Sequence, residues 1–426
     1  MNNNSIYYIC DQIQSSPNAF HATSTLKDVL ISHGFNELFE SDDWGNVSEG
    51  HYFVTRNDSS LIAFTICPES LSNGFAMVGA HTDSPCLKVK PNPDLFKNGY
   101  YQTSVEVYGG VLLNPWFDRE LSLAGKVSYL SVDNSVKTSL INFESPIAII
   151  PSLAIHLDRE ANKKRSINPQ TDIKPIWCHK DLNFDELCIN QLIKQGHTEV
   201  DSVLDYELFF YDVQPPSVIG FEEDFLVSSR LDNLLSCFIG LDAMIKAGNK
   251  RSTLLVCTDH EEVGSSSHCG ADGPFLQSVL QRLIPDTTEL QQCVHHSMMI
   301  SVDNAHGIHP NFSDKHDSNH GPILNDGPVI KLNANQRYAT NAETSGFVKH
   351  IARLNNVPVQ SFVVRSDMAC GSTIGPITSA NIGIKTADIG VPTFAMHSIR
   401  EMAGVPDVDY LQRLLTGFFE YEKAFV

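Results

Sequence analysis

Leu254–Ser267, LLVCTDHEEVGSSS, is the stretch on which the reading of this chain turns. Its four apolar residues, Leu254 to Cys257, have the texture of a strand covered on both faces. They run directly into Asp259, His260, Glu261 and Glu262, and Val263-Gly264 with three serines then release the chain into a loop. Two adjacent glutamates at the mouth of a buried strand are costly unless something cationic meets them. Taken alone, such a pair reads most simply as a solvated acidic loop tip, because Glu is seldom fully buried. The flanking sequence decides between the two.

Three other candidate strands stop on the same kinds of residue. Phe75–Ala80, FAMVGA, delivers His81; Met298–Val302 delivers Asp303; Val391–Met396 delivers His397. A fifth member, Asp232, opens a helix predicted over Leu231–Ala247, where Leu231, Leu234, Leu235, Phe238, Leu241 and Ile245 form one apolar stripe and Gly248 is the stop. Open α/β sheets build their sites at the carboxyl ends of strands. Imidazole and carboxylate are ordinary ligands of divalent zinc, with no cysteine required. Two histidines and three acids can hold two metals if one carboxylate bridges them, which leaves the second glutamate for proton transfer. His81-Thr82-Asp83 adds an acid close to a histidine, a pairing that often fixes a metal-bound imidazole. Each residue has its own plain explanation: a core histidine, a helix-start acid at Asp232, a turn cap at Asp303. Their coincidence at strand ends is what those explanations leave unaccounted for.

Helical periodicity occupies the first 40 residues, Phe275–Leu283, Asn341–Leu354 and Asp409–Phe425, with strands at Tyr52–Thr55, Leu61–Cys67, Val329–Leu332 and Val357–Val364. This alternation predicts an α/β fold, a largely parallel sheet sandwiched by helices. Residues 95–220 differ. Alternating runs such as Thr103–Val107, Gly125–Leu130 and Tyr206–Asp212 are separated by turns at Tyr108-Gly109-Gly110 and Asn114-Pro115. The prediction is a β-rich domain at 95–220 inserted into a metal-site domain formed by 1–94 and 221–426. No GxSxG, HExxH, Walker loop or GxGxxG is present. Cys370-Gly371-Ser372-Thr373 before Ile374-Gly375-Pro376 reads as a tight turn, and His306, His309, His316 and His320 as loop histidines.

Composition narrows the partners. The net charge of −20, from 50 acids against 30 bases, speaks against nucleic acid or an anionic membrane. No apolar run is long enough to span a bilayer, and MNNNSIYYIC lacks the features of a signal peptide, so a soluble cytoplasmic protein is expected. Ten scattered cysteines without a CxxC read as reduced thiols.

These motifs also resemble a known family. GAHTDSP (Gly79–Pro85), SRLDN (Ser229–Asn233), EEVGS (Glu261–Ser265), DNAHGIHPN (Asp303–Asn311) and MHSIREM (Met396–Met402) are similar to blocks of the aspartyl aminopeptidase family of co-catalytic zinc peptidases. LAIHLDRE (Leu153–Glu160), NQRYAT (Asn335–Thr340) and CGSTIGP (Cys370–Pro376) extend the resemblance in order along nearly the whole chain. His260 stands where many relatives carry Asn, and Asp367-Met368 where small residues are more usual. The resemblance implies two zinc ions per subunit, with cobalt or manganese as possible substitutes. His81 and Asp303 would hold one, Glu262 and His397 the other, and Asp232 would bridge them. Glu261 would be the general base and Asp83 the acid behind His81. His156 would act in a neighbouring subunit's site, and Lys331 and Tyr338 would lie near the substrate, Lys331 facing an acidic side chain. The β-rich segment would drive assembly of dimers into a dodecamer. The implied activity is removal of N-terminal residues from peptides, with preference for Asp or Glu. Alternatives are a related two-metal deacylase or carboxypeptidase, or a non-catalytic scaffold on a peptidase fold.

Overall fold

A computed structural model describes residues 3–67 and 73–425. The chain divides into two compact units, Met1–Asp83 with Pro216–Met396 and Glu401–Val426, and Ser84–Pro215 with His397–Arg400.

The first unit is built on a nine-stranded sheet. Its order is Asn36–Glu37, Gly50–Arg56, Ser60–Ile66, Thr253–Thr258, Ala76–His81, Met298–Val302, Lys385–Gly390, Val329–Leu332, Gln360–Val363. The four strands from Thr253–Thr258 to Lys385–Gly390 are mutually parallel. Antiparallel pairings flank them on either side, to Ser60–Ile66 and to Val329–Leu332. Because the middle strands run the same way, Thr258, His81 and Val302 end at one rim.

Side-chain alternation explains why these runs are apolar throughout. Ala76, Val78, Ala80, Leu255, Cys257, Ile300 and Val302 enter one core, while Phe75, Met77, Leu254, Val256 and Met299 enter another on the opposite face. The helices Asn3–Gln14, Ala19–Ser32, Leu231–Ala247, Ala342–Leu354 and Val405–Phe419 cover the first face. Phe275–Leu283, Thr287–His295 and Ile374–Ile382 cover the second. A strand buried on both sides has no polar face to show. The fold is α/β, with a largely parallel core sandwiched by helices.

Several sequence expectations shift. Pro392–Phe394 is not a strand of the parallel core. It belongs to a separate five-stranded sheet, between Ala305–His306 and Glu401–Gly404. The last core strand is Lys385–Gly390, disguised by a buried carboxylate, Asp388, which accepts from Thr373 Oγ1 and the Ala339 N–H at 2.6 Å each. A side chain on Gly390 would overlap the Asp303 carbonyl oxygen, so glycine permits that approach. Cys370–Thr373, expected as a tight turn, leads directly into a helix, Ile374–Ile382, that the sequence reading did not place: Thr373 caps it, with Oγ1 accepting from the Gly375 N–H at 3.3 Å. The closing helix starts at Val405, with Pro in its first turn, and ends at Phe419.

The second unit is a seven-stranded antiparallel sheet that closes on itself. Val200–Asp212 pairs with both Cys86–Lys97 and Glu120–Ser131. Because Cys86–Lys97 also pairs with Tyr100–Tyr108, residues 86–94 go with this unit and not with the first. One helix, Phe184–Lys194, packs onto its core through Phe184, Cys188 and Leu192.

Candidate metal centre

At the rim of the parallel strands, His81 is buried at 1 % exposure. Its Nδ1 lies 3.0 Å from the Asp83 carbonyl oxygen, which only accepts, so Nδ1 carries the proton of that bond. Nδ1 is also 3.3 Å from Asp83 Oδ1. The other nitrogen, Nε2, faces carboxylates: Asp232 at 3.4 Å, Asp303 at 3.6 Å and Glu261 at 4.0 Å. One ligand atom from each of His81, Asp232 and Glu262 lies within 4.8 Å of the others.

Each group is held from behind. The two oxygens of Asp83 accept the backbone N–H groups of Glu261 (3.2 Å) and Glu262 (3.1 Å), locking the glutamate pair to the strand end that carries His81. The Asp232 N–H donates to Glu401 Oε2 at 2.9 Å, and Asn233 Nδ2 donates to the Val302 carbonyl at 2.8 Å. Thus the start of the long helix is fastened to the strand that delivers Asp303. Lys331 Nζ donates to Asp303 Oδ2 at 3.2 Å, and the same ammonium sits 5.4 Å from the centre of the Tyr338 ring.

The electrostatics fit a cation. Burial first, and then Asp303, Asp83 and Asp232, push the Glu261 carboxyl up to about 8, against the pull of His81. Burial and Asp232 likewise drive Glu262 well above the usual carboxylate range. Burial works against the His81 imidazolium, yet hydrogen bonds to Asp232, Asp303 and Asp83 hold its proton well above the ordinary range. Asp303 behaves oppositely: burial opposes its charge, but Lys331 and His81 keep it well below the usual range. Five acids around one imidazole repel one another in a buried place, and a divalent ion relieves that repulsion. Oxygen and nitrogen donors without sulfur suit zinc, cobalt or manganese. Protons leave as such an ion enters, so affinity falls as pH is lowered.

Of the sequence-predicted residues, His81, Asp83, Asp232, Glu261, Glu262 and Asp303 meet in this cluster, with Lys331 and Tyr338 against its Asp303 side. His397 and His156 belong to the second unit. His397 Nδ1 lies 3.1 Å from the Gly110 carbonyl oxygen. His156 is exposed, in a turn flanked by Leu153, Ile155 and Leu157. Sequence reasoning assigned no role to Glu401, Asn233 or Asp388. Glu401 was visible only as a charge inside MHSIREM, and Asp388 as an acid interrupting an apolar run.

The model of a family described as aminopeptidase I zinc metalloprotease (M18) matches residues 12–419. The chain belongs to the M18 family. A probable M18 family aminopeptidase 2 of Ectopseudomonas mendocina (strain ymp) is 55 % identical over 416 residues, covering 96 % of this chain and 97 % of that protein. Among solved structures, a chain of the cryo-EM structure of the Ape4 and Nbr1 complex superposes with TM-score 0.93 at 38 % identity, covering 97 % of this chain and 85 % of that one. The S. cerevesiae mApe1 dodecamer superposes with TM-score 0.86 at 27 % identity, covering 99 % and 98 %. The motif resemblance therefore holds across the chain. As an M18 member it is a zinc-dependent aminopeptidase, and the deacylase, carboxypeptidase and scaffold alternatives fall away. Among the described residues, no helix is long and apolar enough to cross a membrane.

Proposed function

We propose that this aminopeptidase uses two zinc ions per subunit to release N-terminal Asp or Glu from peptides. The observation that carries the reading is the convergence of Asp232, Asp303 and Glu261 on His81 Nε2 at 3.4–4.0 Å. His81 and Asp303 would hold one ion, Glu262 and His397 the other, with Asp232 between them. Both histidines keep Nδ1 against a backbone carbonyl, which leaves Nε2 for coordination. When bound, the zinc ions polarise the scissile carbonyl and lower the pKa of water toward ~7. Glu261 takes the proton of the attacking water and returns it to the leaving amine. Asp83 sets where Glu261 begins, because it holds the backbone of that residue.

Asp83→Asn is expected to weaken zinc binding or turnover by about 10–100-fold, the usual effect of losing an acid behind a metal-bound imidazole. A zinc titration with unchanged affinity, together with unchanged rates, would reject the assignment.

An acidic first residue needs a local cation, because the chain as a whole is strongly acidic. Lys331 is the candidate: it lies at the edge of the carboxylate cluster beside Tyr338. Lys331→Ala is expected to depress kcat/KM selectively for Asp and Glu substrates. Equal loss on neutral substrates would instead make Lys331 only the neutraliser of Asp303. Removing one partner of a buried pair costs about 3–5 kcal/mol, so a thermal melt accompanies the assay. The reading as a whole is tested by aminoacyl reporters bearing Asp, Glu, Leu or Lys, with N-acylated controls and a chelator. Equal rates on Leu would remove the acidic preference.

Assembly into a homo-oligomer, with dimers combining into a dodecamer, is part of the same proposal. The S. cerevesiae mApe1 relative is a dodecamer. Here Leu153, Ile155 and Leu157 are 60 %, 47 % and 74 % exposed around His156. Three large apolar side chains so exposed on one short segment suit a contact surface, from which His156 would act in a second copy.

A further inference from the structure

Beside the catalytic cluster lies a second group with metal-binding chemistry that the reaction above does not use. One ligand atom from each of Asp259, His260 and Cys269 lies within 4.8 Å of the others. His260 Nδ1 is 3.6 Å from Cys269 Sγ and 2.9 Å from Ser267 Oγ, and Nε2 is 3.6 Å from Asp259 Oδ2. Zinc bonds sulfur at about 2.3 Å and nitrogen at about 2.0 Å, so two tetrahedral ligands stand about 3.6 Å apart. The thiol and the imidazole already have that spacing.

The surroundings hold these residues in place. Ser60 Oγ accepts from the Asp259 N–H at 2.9 Å and donates to the Cys269 carbonyl at 2.8 Å, tying two of the three backbones together. The Gly270 N–H donates to Ser267 Oγ at 2.9 Å, and a side chain on Gly270 would overlap the Ser265 carbonyl oxygen. The loop therefore closes tightly behind Cys269. Cys269 and Asp259 are buried, at 0 % and 4 % exposure, whereas the His260 side chain keeps 28 % and leaves a way in for an ion. Thiolate with imidazole selects a zinc-class cation over magnesium or calcium, which prefer all-oxygen sites.

We infer that Asp259, His260 and Cys269 form a third metal site, separate from the catalytic ligands, that takes one zinc-class divalent ion. Sγ and Nδ1 bind as they stand. Asp259 turns about its Cα–Cβ bond to close the third side, and Ser267 or water fills the fourth position.

The competing explanation is a thiol-to-imidazole hydrogen bond at the same spacing, and spectroscopy separates the two. The catalytic ligands contain no sulfur, so a thiolate-to-cobalt charge-transfer band in the near ultraviolet reports only a cysteine site. The cobalt-substituted full chain is expected to show that band. Cys269→Ser and His260→Asn are expected to lose it, with one metal ion fewer per subunit by elemental analysis. Circular dichroism and subunit assembly serve as folding controls, and His260→Asn decides the matter should Cys269→Ser fail to fold. No band in the parent chain, a band that survives either variant, or equal metal content overturns the inference. None of these readouts depends on peptidase activity, so they stand or fall apart from the proposed reaction.

Discussion

Glu261→Gln is expected to lower kcat by about 10²–10⁴-fold, the range that a positioned general base supplies, while zinc content stays at the parent level. The amide matches the carboxylate in shape but cannot take a proton. The Glu261 backbone is set by its N–H bond to Asp83, which the substitution does not touch. Glu261 Oε2 is also the most distant of the three carboxylate contacts to His81 Nε2, at 4.0 Å against 3.4 Å for Asp232. Glu262, and not Glu261, is the glutamate whose ligand atom groups with those of His81 and Asp232. Elemental analysis beside the assay separates the possibilities. If zinc disappears with activity, Glu261 is a ligand, and the division of labour within the glutamate pair fails.

His156→Ala is expected to lower kcat by about 10²–10³-fold if the imidazole donates to the developing oxyanion, the usual effect of losing one such donor. Zinc content and oligomer size should not change, because the exposed apolar neighbours proposed as the contact surface remain. A mixing experiment gives the sharper result. Inactive Glu261→Gln subunits still present a good His156, and inactive His156→Ala subunits still contain a good Glu261. Co-assembled from denatured chains, the two should recover part of the parent rate. Mixtures no faster than the His156→Ala protein alone would show that His156 does not serve a second copy.

Much of this was readable from the residues, for a physical reason. Strands buried on both faces must be apolar along their length, so a His or a carboxylate at the end of such a run stands out. His81, Glu262 and Asp303 announce themselves in that way, and the parallel order of Ala76–His81, Thr253–Thr258 and Met298–Val302 brings them together. The strand Lys385–Gly390 was illegible because Asp388 breaks its pattern, and the hydrogen bonds that make that acid tolerable come from residues 15 and 49 positions away. The Thr373 cap was misread for a related cause: Gly and Pro signal turns, but Pro is equally at home in the first turn of a helix. Glu401 lay beyond sequence reasoning altogether. Its task is to accept a backbone N–H from Asp232, 169 residues earlier, and no local periodicity encodes such a bond.

The sheet order also governs how the protein is made. The strand ending in His81 lies between Thr253–Thr258 and Met298–Val302, and a whole self-closing antiparallel unit is synthesised before either neighbour exists. At about 5–20 residues per second, some 10–35 s pass between the synthesis of His81 and that of Thr258. Throughout that interval an apolar strand with two open edges waits on the nascent chain, the kind of segment most prone to pair wrongly. The strands of the second unit, by contrast, find all their partners between residues 86 and 212. Recombinant yield of this enzyme should accordingly be limited by its first eighty residues and not by its barrel.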